Sequence, residues 1–330
     1  MAVLYLTEQG AIVRKTGDRL IVEKDHETLA EIPCEKLESI LIFGNVQVTT
    51  PALAELLDHG IELAFLTVSG RLRGQLTPPK ARNMPLRMRQ YDAARDNAFR
   101  LEVAREIVRG KVENAAAVLG RHRQRHPNRI DRETIDELEA AANGLEAATS
   151  LESLRGVEGS AAARYFRAFP GLLPDGWTFP GRQRRPPPDP VNALLSFGYV
   201  LVANELQSLF DAMGFDPYLG FFHEVDYGRA SLALDLLEEF RAPLVDRFAA
   251  TVLALGRLTR PDFIAGPEGG VVLSREGLKT FFAAWEHGLA EPIALEEGSA
   301  TFRDLFRRQA ERLARALTQG EPYRAFRLPC

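Results

Sequence analysis

The chain has 330 residues, 45% of them hydrophobic, and a formal net charge of -4. Those values suit a soluble globular protein of about two domains, and a net negative charge gives no sign of a nucleic-acid binder. They also exclude several simpler classes: no run reaches the roughly 20 apolar residues of a membrane span, and Cys34 and Cys330 form no CxxC or metal-ligand pair, so free thiols in a reducing cytoplasm are expected. The N-terminal MAVLYLTEQG lacks the charged and small-residue pattern of a signal peptide.

The first 75 residues read as strands. VLYLTE, AIVRKTG, RLIVEKD and SILIFG are short, aliphatic or β-branched, and set apart by glycine, aspartate and charged turns. AIVRKTGDRLIVEKD and IELAFLTVSGRLRGQL read as hairpins. PALAELLDHG, opened by Pro51 and stopped by Gly60, is a short helix between them. The expectation is a small antiparallel β domain over 1–80. TPPKARNMP then marks a linker, placed at 81–90, before an all-α bundle over 91–330, so the fold class is α+β.

Helical spacing governs the rest. Residues 86–120 carry Ala98, Leu101, Ala104, Ile107 and Val108 on one repeat, and ETIDELEAAANGLEAA and LESLRGVEGSAAARYFRAF follow as further helices. GRQRRPPPDP (181–190) is an extended loop. Asp189-Pro190 is a helix start, and VNALLSFGYVLVANELQSLFDAM runs to Gly214, apolar nearly all round and therefore central. Charge is unevenly spread along this part. Lys80–Arg129 holds thirteen basic and five acidic residues, Asp131–Glu158 eight acidic and two basic, a pattern that fits either solvated helix faces or a phosphate-binding face beside a cation-binding one.

Three stretches could carry chemistry. In HEVDYGRASLALDLLEEF (223–240), turning the helix about 100° per residue from Leu232 puts the leucines and Phe240 on one arc and Asp235, Glu238 and Glu239 together beside it. On this window alone the acids read as a solvent-facing stripe. His223, after two phenylalanines, sits at the edge of a core with that acidic helix just downstream. In GVEGSAAARYF (156–166) Glu158 stands among small residues that permit close approach, where a carboxylate is either paired or cation-bound, or else exposed on a loosely packed helix. His122 and His126 lie four apart but among four arginines, which repel a divalent cation; His26, His59 and His287 read as surface or satisfied histidines. No P-loop, dinucleotide fingerprint (GPEGG at 266–270 is a turn), GxSxG or HExxH is present.

VEGSAAARYF, RRPPPDPVNALLSFGYVLVANE and GFFHEVDYGRASLALDLLEEFRAP occur in that order after a β-rich head of about 80 residues. Together, with RQYDAARDN and IVRGKVENAAAVL in the first long helix, they resemble the CRISPR-associated protein one family over nearly the whole chain. The resemblance implies an N-terminal β domain that forms a homodimer and a helical domain holding one divalent metal per subunit. It implies Glu158, His223 and a second carboxylate as ligands. Among Asp235, Glu238 and Glu239 the choice falls on Glu238, fifteen residues after His223, with Asp235 in support. It further implies double-stranded DNA, both spacer precursor and CRISPR repeat, as substrate, and a dimer of the small CRISPR-associated protein two as partner, in the cytoplasm and with no membrane.

Two carboxylates and an imidazole leave positions open for water and phosphate, and the donor set suits Mn²⁺ or Mg²⁺. Arg164, Arg182, Arg184, Arg185 and Arg229, set around the three stretches, are candidates for holding DNA phosphates. The leading expectation is a metal-dependent DNA endonuclease and integrase. The alternatives are another metal-dependent phosphoesterase acting on branched DNA or RNA, and a non-catalytic DNA scaffold.

Overall fold

The computed structural model describes residues 2–68, 70–77, 83–183, 186–266, 269–295 and 298–329. It divides into two compact units, 1–80 with 273–282 and 81–272 with 283–330.

The first unit contains strands β1 (Ala2–Leu6), β2 (Ile12–Thr16), β3 (Arg19–Lys24), β4 (Glu27–Pro33), β5 (Leu37–Phe43) and β6 (Gln47–Val48). Helix α1 (Thr50–Asp58) and strands β7 (Glu62–Leu66) and β8 (Leu72–Leu76) complete its N-terminal part. Two four-stranded sheets form, in the orders β1-β5-β7-β8 and β4-β3-β2-β6. Both expected hairpins are present as the antiparallel pairs β2–β3 and β7–β8. The expectation of an antiparallel domain is corrected: β1–β5, β5–β7 and β2–β6 are parallel. For β5–β7 the physical reason is α1, which is not an interruption but the crossover that a parallel pair requires; β1 reaches β5 through β2–β4, and β2 reaches β6 through β3–β5, so strands of one sheet serve as crossovers for the other. Between the sheets and α1 lies a dry core of Val13, Leu20, Ile40, Ile42, Leu56 and Leu63, each fully buried. Gly60, at φ 69°, ends α1 in a conformation a side chain disfavours.

The second unit is helical: α2 (Met84–Arg95), α3 (Asn97–Arg125), α4 (Arg132–Asn143), α5 (Leu151–Ala168), α6 (Pro190–Met213), α7 (Ser231–Phe240) and α8 (Arg247–Ala254). Hairpin β9 (Phe263–Ala265) and β10 (Val271–Leu273), helix α9 (Arg275–Ala290), hairpin β11 (Ile293–Leu295) and β12 (Gly298–Ala300), and α10 (Phe302–Gln319) follow. The first half of α9 belongs to the first unit, where Phe282 stacks on Tyr5 at 4.0 Å.

Three expectations are corrected here. The part after the linker is not all α, because two three-residue hairpins too short for a periodic signal interrupt it. The segment placed as linker is helical from Met84, its start capped by Asn83, while 78–82 lie outside the described residues. The first long helix is two, since the Asp96 carboxylate accepts the N–H groups of Ala98 and Phe99 and restarts the winding.

Helix α6 packs against α7, α8 and α10, while α3 packs against α2, α4, α5 and α7. Asp189 caps α6 by accepting from Asn192 N at 2.8 Å, and Gly214 ends it at φ 93°. By length and composition α6 could cross a membrane, yet 61% of its most apolar window is buried inside the protein, as in a core helix. Helix α7 packs against α3 and α6. Its continuation Arg241–Asp246 winds as a π-helix around Pro243, which has no N–H to give a regular turn, before α8 resumes.

Candidate metal centre

The acidic face of α7 is dry. Asp235 is 1% exposed, Glu238 4% and Glu239 0%, so the solvent-facing stripe suggested by the 232–240 window is overturned. Each buried carboxylate needs partners, because an isolated buried charge is costly, and the three have quite different ones.

Asp235 is enclosed by the turn that precedes it. Its Oδ2 accepts the N–H groups of Phe221 (2.6 Å) and Phe222 (3.0 Å). Its Oδ1 accepts the N–H of His223 (2.8 Å) and the imidazole Nδ1–H of the same residue (2.7 Å). Three successive backbone N–H groups thus form an anion nest. The close wrap needs Gly220, where a Cβ would stand 2.7 Å from Asp235 Oδ2 and 2.9 Å from the Ser231 carbonyl carbon. With Nδ1 donating to the Asp235 carboxylate, Nε2 is the ring nitrogen available to ligate. Nε2 lies 3.8 Å from Glu238 Oε1.

Glu238 meets three cationic or imidazole groups. Arg241 Nε donates to its Oε2 at 2.9 Å, and the Lys111 ammonium stands 2.7 Å from the same oxygen. Lys111 also donates to Glu158 Oε1. Burial alone would raise the Glu238 carboxyl, but Arg241, then Lys111 and His223, outweigh it and hold the group well below the usual carboxylate range. Glu238 is therefore an ionised carboxylate. Arg241 itself stacks over Tyr199 at 4.3 Å, and Tyr199 donates to buried Asp246. Burial pushes Asp246 up to about 6, against the opposing pull of Tyr199, Tyr165 and Arg241.

Glu239 points away from this group. It accepts from Tyr323 OH, Gln309 Nε2 (2.7 Å) and Phe326 N (2.7 Å), and so ties the segment after α10 to the back of α7. Asn114 completes the tie by donating to Glu239 O and Phe326 O and accepting from Leu328 N. Glu239 is an anchor for that segment.

The structure thus gathers Glu158, His223 and Glu238, with Asp235 behind the histidine. Among the described residues no three His, Cys, Asp or Glu side chains are closed into a ready-made metal cage. What stands between Glu158 and Glu238 is a cation, the ammonium of Lys111. The donor set fits a hard divalent ion: two carboxylates already arranged around one positive charge and an imidazole nitrogen held in the ligating tautomer. Lys111 and Arg241 were not singled out from sequence; Arg241 has a readable signal, three residues after Glu238 on one helical face.

Other sequence candidates stand apart from this centre. The glycines beside Glu158 do not mark a close approach, for a Cβ at Gly156 or Gly159 meets nothing within 4 Å. Arg164 pairs with Glu137 at 3.0 Å and donates to Ser160. Arg182 braces the start of α6 through Asn192 (2.9 Å) and Ser196 (3.0 Å) and lies over Tyr199. Arg229 donates to the Glu224 carbonyl on the exposed loop after His223. Arg184, Arg185, Cys330 and the tip of the GPEGG turn lie outside the described residues. The His122 and His126 rings lie 4.7 Å apart with their planes tilted by 36°, and burial, with the neighbouring cationic groups, keeps His122 below its ordinary pKa.

The family model described as CRISPR associated protein Cas1 matches residues 4–287. A CRISPR-associated endonuclease Cas1 of Thermus thermophilus is 39% identical over 295 residues, 89% of this chain and 86% of that protein. Among solved structures, a casposase bound to integration product superposes with a TM-score of 0.88 at 25% identity, covering 100% of this chain and 94% of its own. A chain of a Cas6-RT-Cas1–Cas2 complex gives 0.85 at 26% identity, covering 100% of this chain and 36% of that longer one.

Proposed function

The chain belongs to the Cas1 family of CRISPR-associated proteins, and from that premise we propose that Glu158, His223 and Glu238 are the metal ligands of a DNA endonuclease and integrase that inserts captured DNA into a CRISPR array. The observation that carries the reading is the cation position between Glu158 and Glu238, with the imidazole of His223 fixed beside it.

A divalent ion bound there, Mn²⁺ or Mg²⁺, would offset phosphodiester charge, polarise phosphorus and lower the pKa of an attacking water or 3′-hydroxyl. The protein's own groups prepare the place. Asp235 fixes the tautomer and orientation of His223, and such partners behind a ligand are worth about 10–100-fold in metal affinity. Arg241 keeps Glu238 ionised and still, so no proton has to leave before a ligand bond forms. Burial of Glu238 and Asp235 keeps water from competing for their hydrogen bonds. With water as nucleophile the outcome is cleavage; with a DNA 3′-hydroxyl it is strand transfer.

DNA, as spacer precursor and as repeat, is the substrate this reading requires. Arg229, on the exposed loop that leaves His223 and held there by the Glu224 carbonyl and Asp226, is as near in sequence to a proposed ligand as any described arginine candidate. Assembly as a homodimer through the N-terminal unit, around a dimer of the small Cas2 partner and in the cytoplasm, belongs to the same proposal. The test is His223→Ala. It should abolish Mn²⁺-supported cleavage and strand transfer while leaving the fold and oligomeric state intact. Full activity with unchanged Mn²⁺ binding would sink the ligand assignment.

A further inference from the structure

The chemistry above makes no use of Lys111. It projects from the middle of α3 with a side chain 17% exposed, donates to Glu158, and lies 2.7 Å from Glu238. Its ammonium fills the position that an ion ligated by both carboxylates has to take. The two cations cannot share it: both need the same oxygens, and their charges repel at contact distance. Glu238 does not depend on Lys111 for neutralisation, since Arg241 already holds its Oε2.

We infer that Lys111 is the resident counter-ion of the metal-free site, and that metal loading is an exchange in which its ammonium leaves Glu158 and Glu238. This rests on the reading of those two residues as ligands. The ammonium has somewhere to go. Lys111 also lines a cavity of about 70 Å³ walled by Tyr165, Tyr199, Arg182 and Asp246, and its four-carbon stem reaches into new positions by rotation alone. The exchange has two physical consequences. The metal-free protein avoids an uncompensated Glu158 facing Glu238 and stays folded before loading. In return, apparent metal affinity falls to its intrinsic value multiplied by the fraction of molecules in which Lys111 has already withdrawn.

The experiment uses the full chain as wild type, Lys111→Met and Lys111→Arg. Mn²⁺ binding is measured by titration calorimetry and thermal unfolding in EDTA by calorimetric scanning. Lys111→Met should bind Mn²⁺ about tenfold more tightly, as expected if the bridge is occupied about nine-tenths of the time. In EDTA it should melt below wild type, and Lys111→Arg should restore both values toward wild type. Wild-type binding with no tightening in Lys111→Met overturns the exchange alone. No Mn²⁺ binding by either protein overturns the exchange together with the ligand reading, whereas binding by Lys111→Met only supports both. Should Lys111→Met fail to fold, paired wild-type crystal structures in EDTA and in Mn²⁺ decide the matter. The exchange requires Nζ to move beyond about 4 Å from the Glu158 carboxylate when Mn²⁺ is present, and an unchanged bridge overturns it.

Discussion

Replacing Asp235 with asparagine changes one oxygen to an NH₂ and leaves the shape intact. Asp235 accepts four hydrogen bonds through two oxygens and is 1% exposed. An asparagine oxygen can serve only one side. If it stays with His223, the new NH₂ faces the N–H groups of Phe221 and Phe222, donor against donor. If it turns to the phenylalanines, the NH₂ meets His223 Nδ1, which must then become the acceptor and move its proton to Nε2, where a metal lone pair is needed. Either way two bonds to a charged acceptor are lost in a buried place. At about 1.5–3 kcal/mol each, the loss is about 3–6 kcal/mol, or roughly 10–20 °C in melting temperature for a unit of this size. Mn²⁺ affinity should fall about 10–100-fold. Scanning calorimetry and Mn²⁺ titration read both effects. Melting within about 2 °C of wild type, together with unchanged Mn²⁺ affinity, would refute the idea that this carboxylate builds the site.

Gly220→Ala should cost about 1–3 kcal/mol and weaken Mn²⁺ binding, because its Cβ would press on Asp235 Oδ2 and the Ser231 backbone; Gly156→Ala, with nothing near its Cβ, should instead stabilise by up to about 1 kcal/mol in urea unfolding. Asn114→Ala removes the two donor bonds and one acceptor bond that hold the segment after α10, so about 2–4 kcal/mol should be lost and hydrogen exchange should quicken around 323–328. Asp246, pushed up to about 6 from 3.8, binds its proton more tightly in the folded state than in the unfolded one. Its contribution therefore falls as pH rises from about 4 to about 6, by about 3 kcal/mol in all, and is level beyond. Asp246→Asn should lack that slope, so the difference between the two proteins' urea-unfolding free energies should change by about 3 kcal/mol between about pH 4 and pH 6, and a pH-independent difference would refute the buried acid.

How far the sequence could be read depended on whether a signal was local. The Asp189 cap, the Gly214 stop and both hairpins are set by neighbours within four residues, and the structure contains all of them. The parallel pairing of β5 with β7 was lost because it depends on what α1 does in space, not on the strands' own residues. Likewise Glu238 and Glu239 are adjacent and chemically equal in sequence. What separates them is remote: Lys111 from α3 on one side, Tyr323 and Gln309 on the other. The amphipathic pattern of α7 misleads for the same reason. A helix buried on both faces by different neighbours has the same periodicity as one buried on a single face.

The π-helical stretch Arg241–Asp246 is wound wider than the α-helices on either side of it. A π turn is how a helix absorbs one additional residue without breaking. Removing a residue there would restore regular winding, a change that elsewhere in a helix counts as damage. Because the wider turn takes up that residue, α8 would keep its facing relative to α7, whereas the same deletion within α7 would turn everything after it by about 100°. Glu238 and Arg241 would keep their contact. Loss of one residue should therefore be better tolerated at 242–246 than at 231–240, although both stretches are buried.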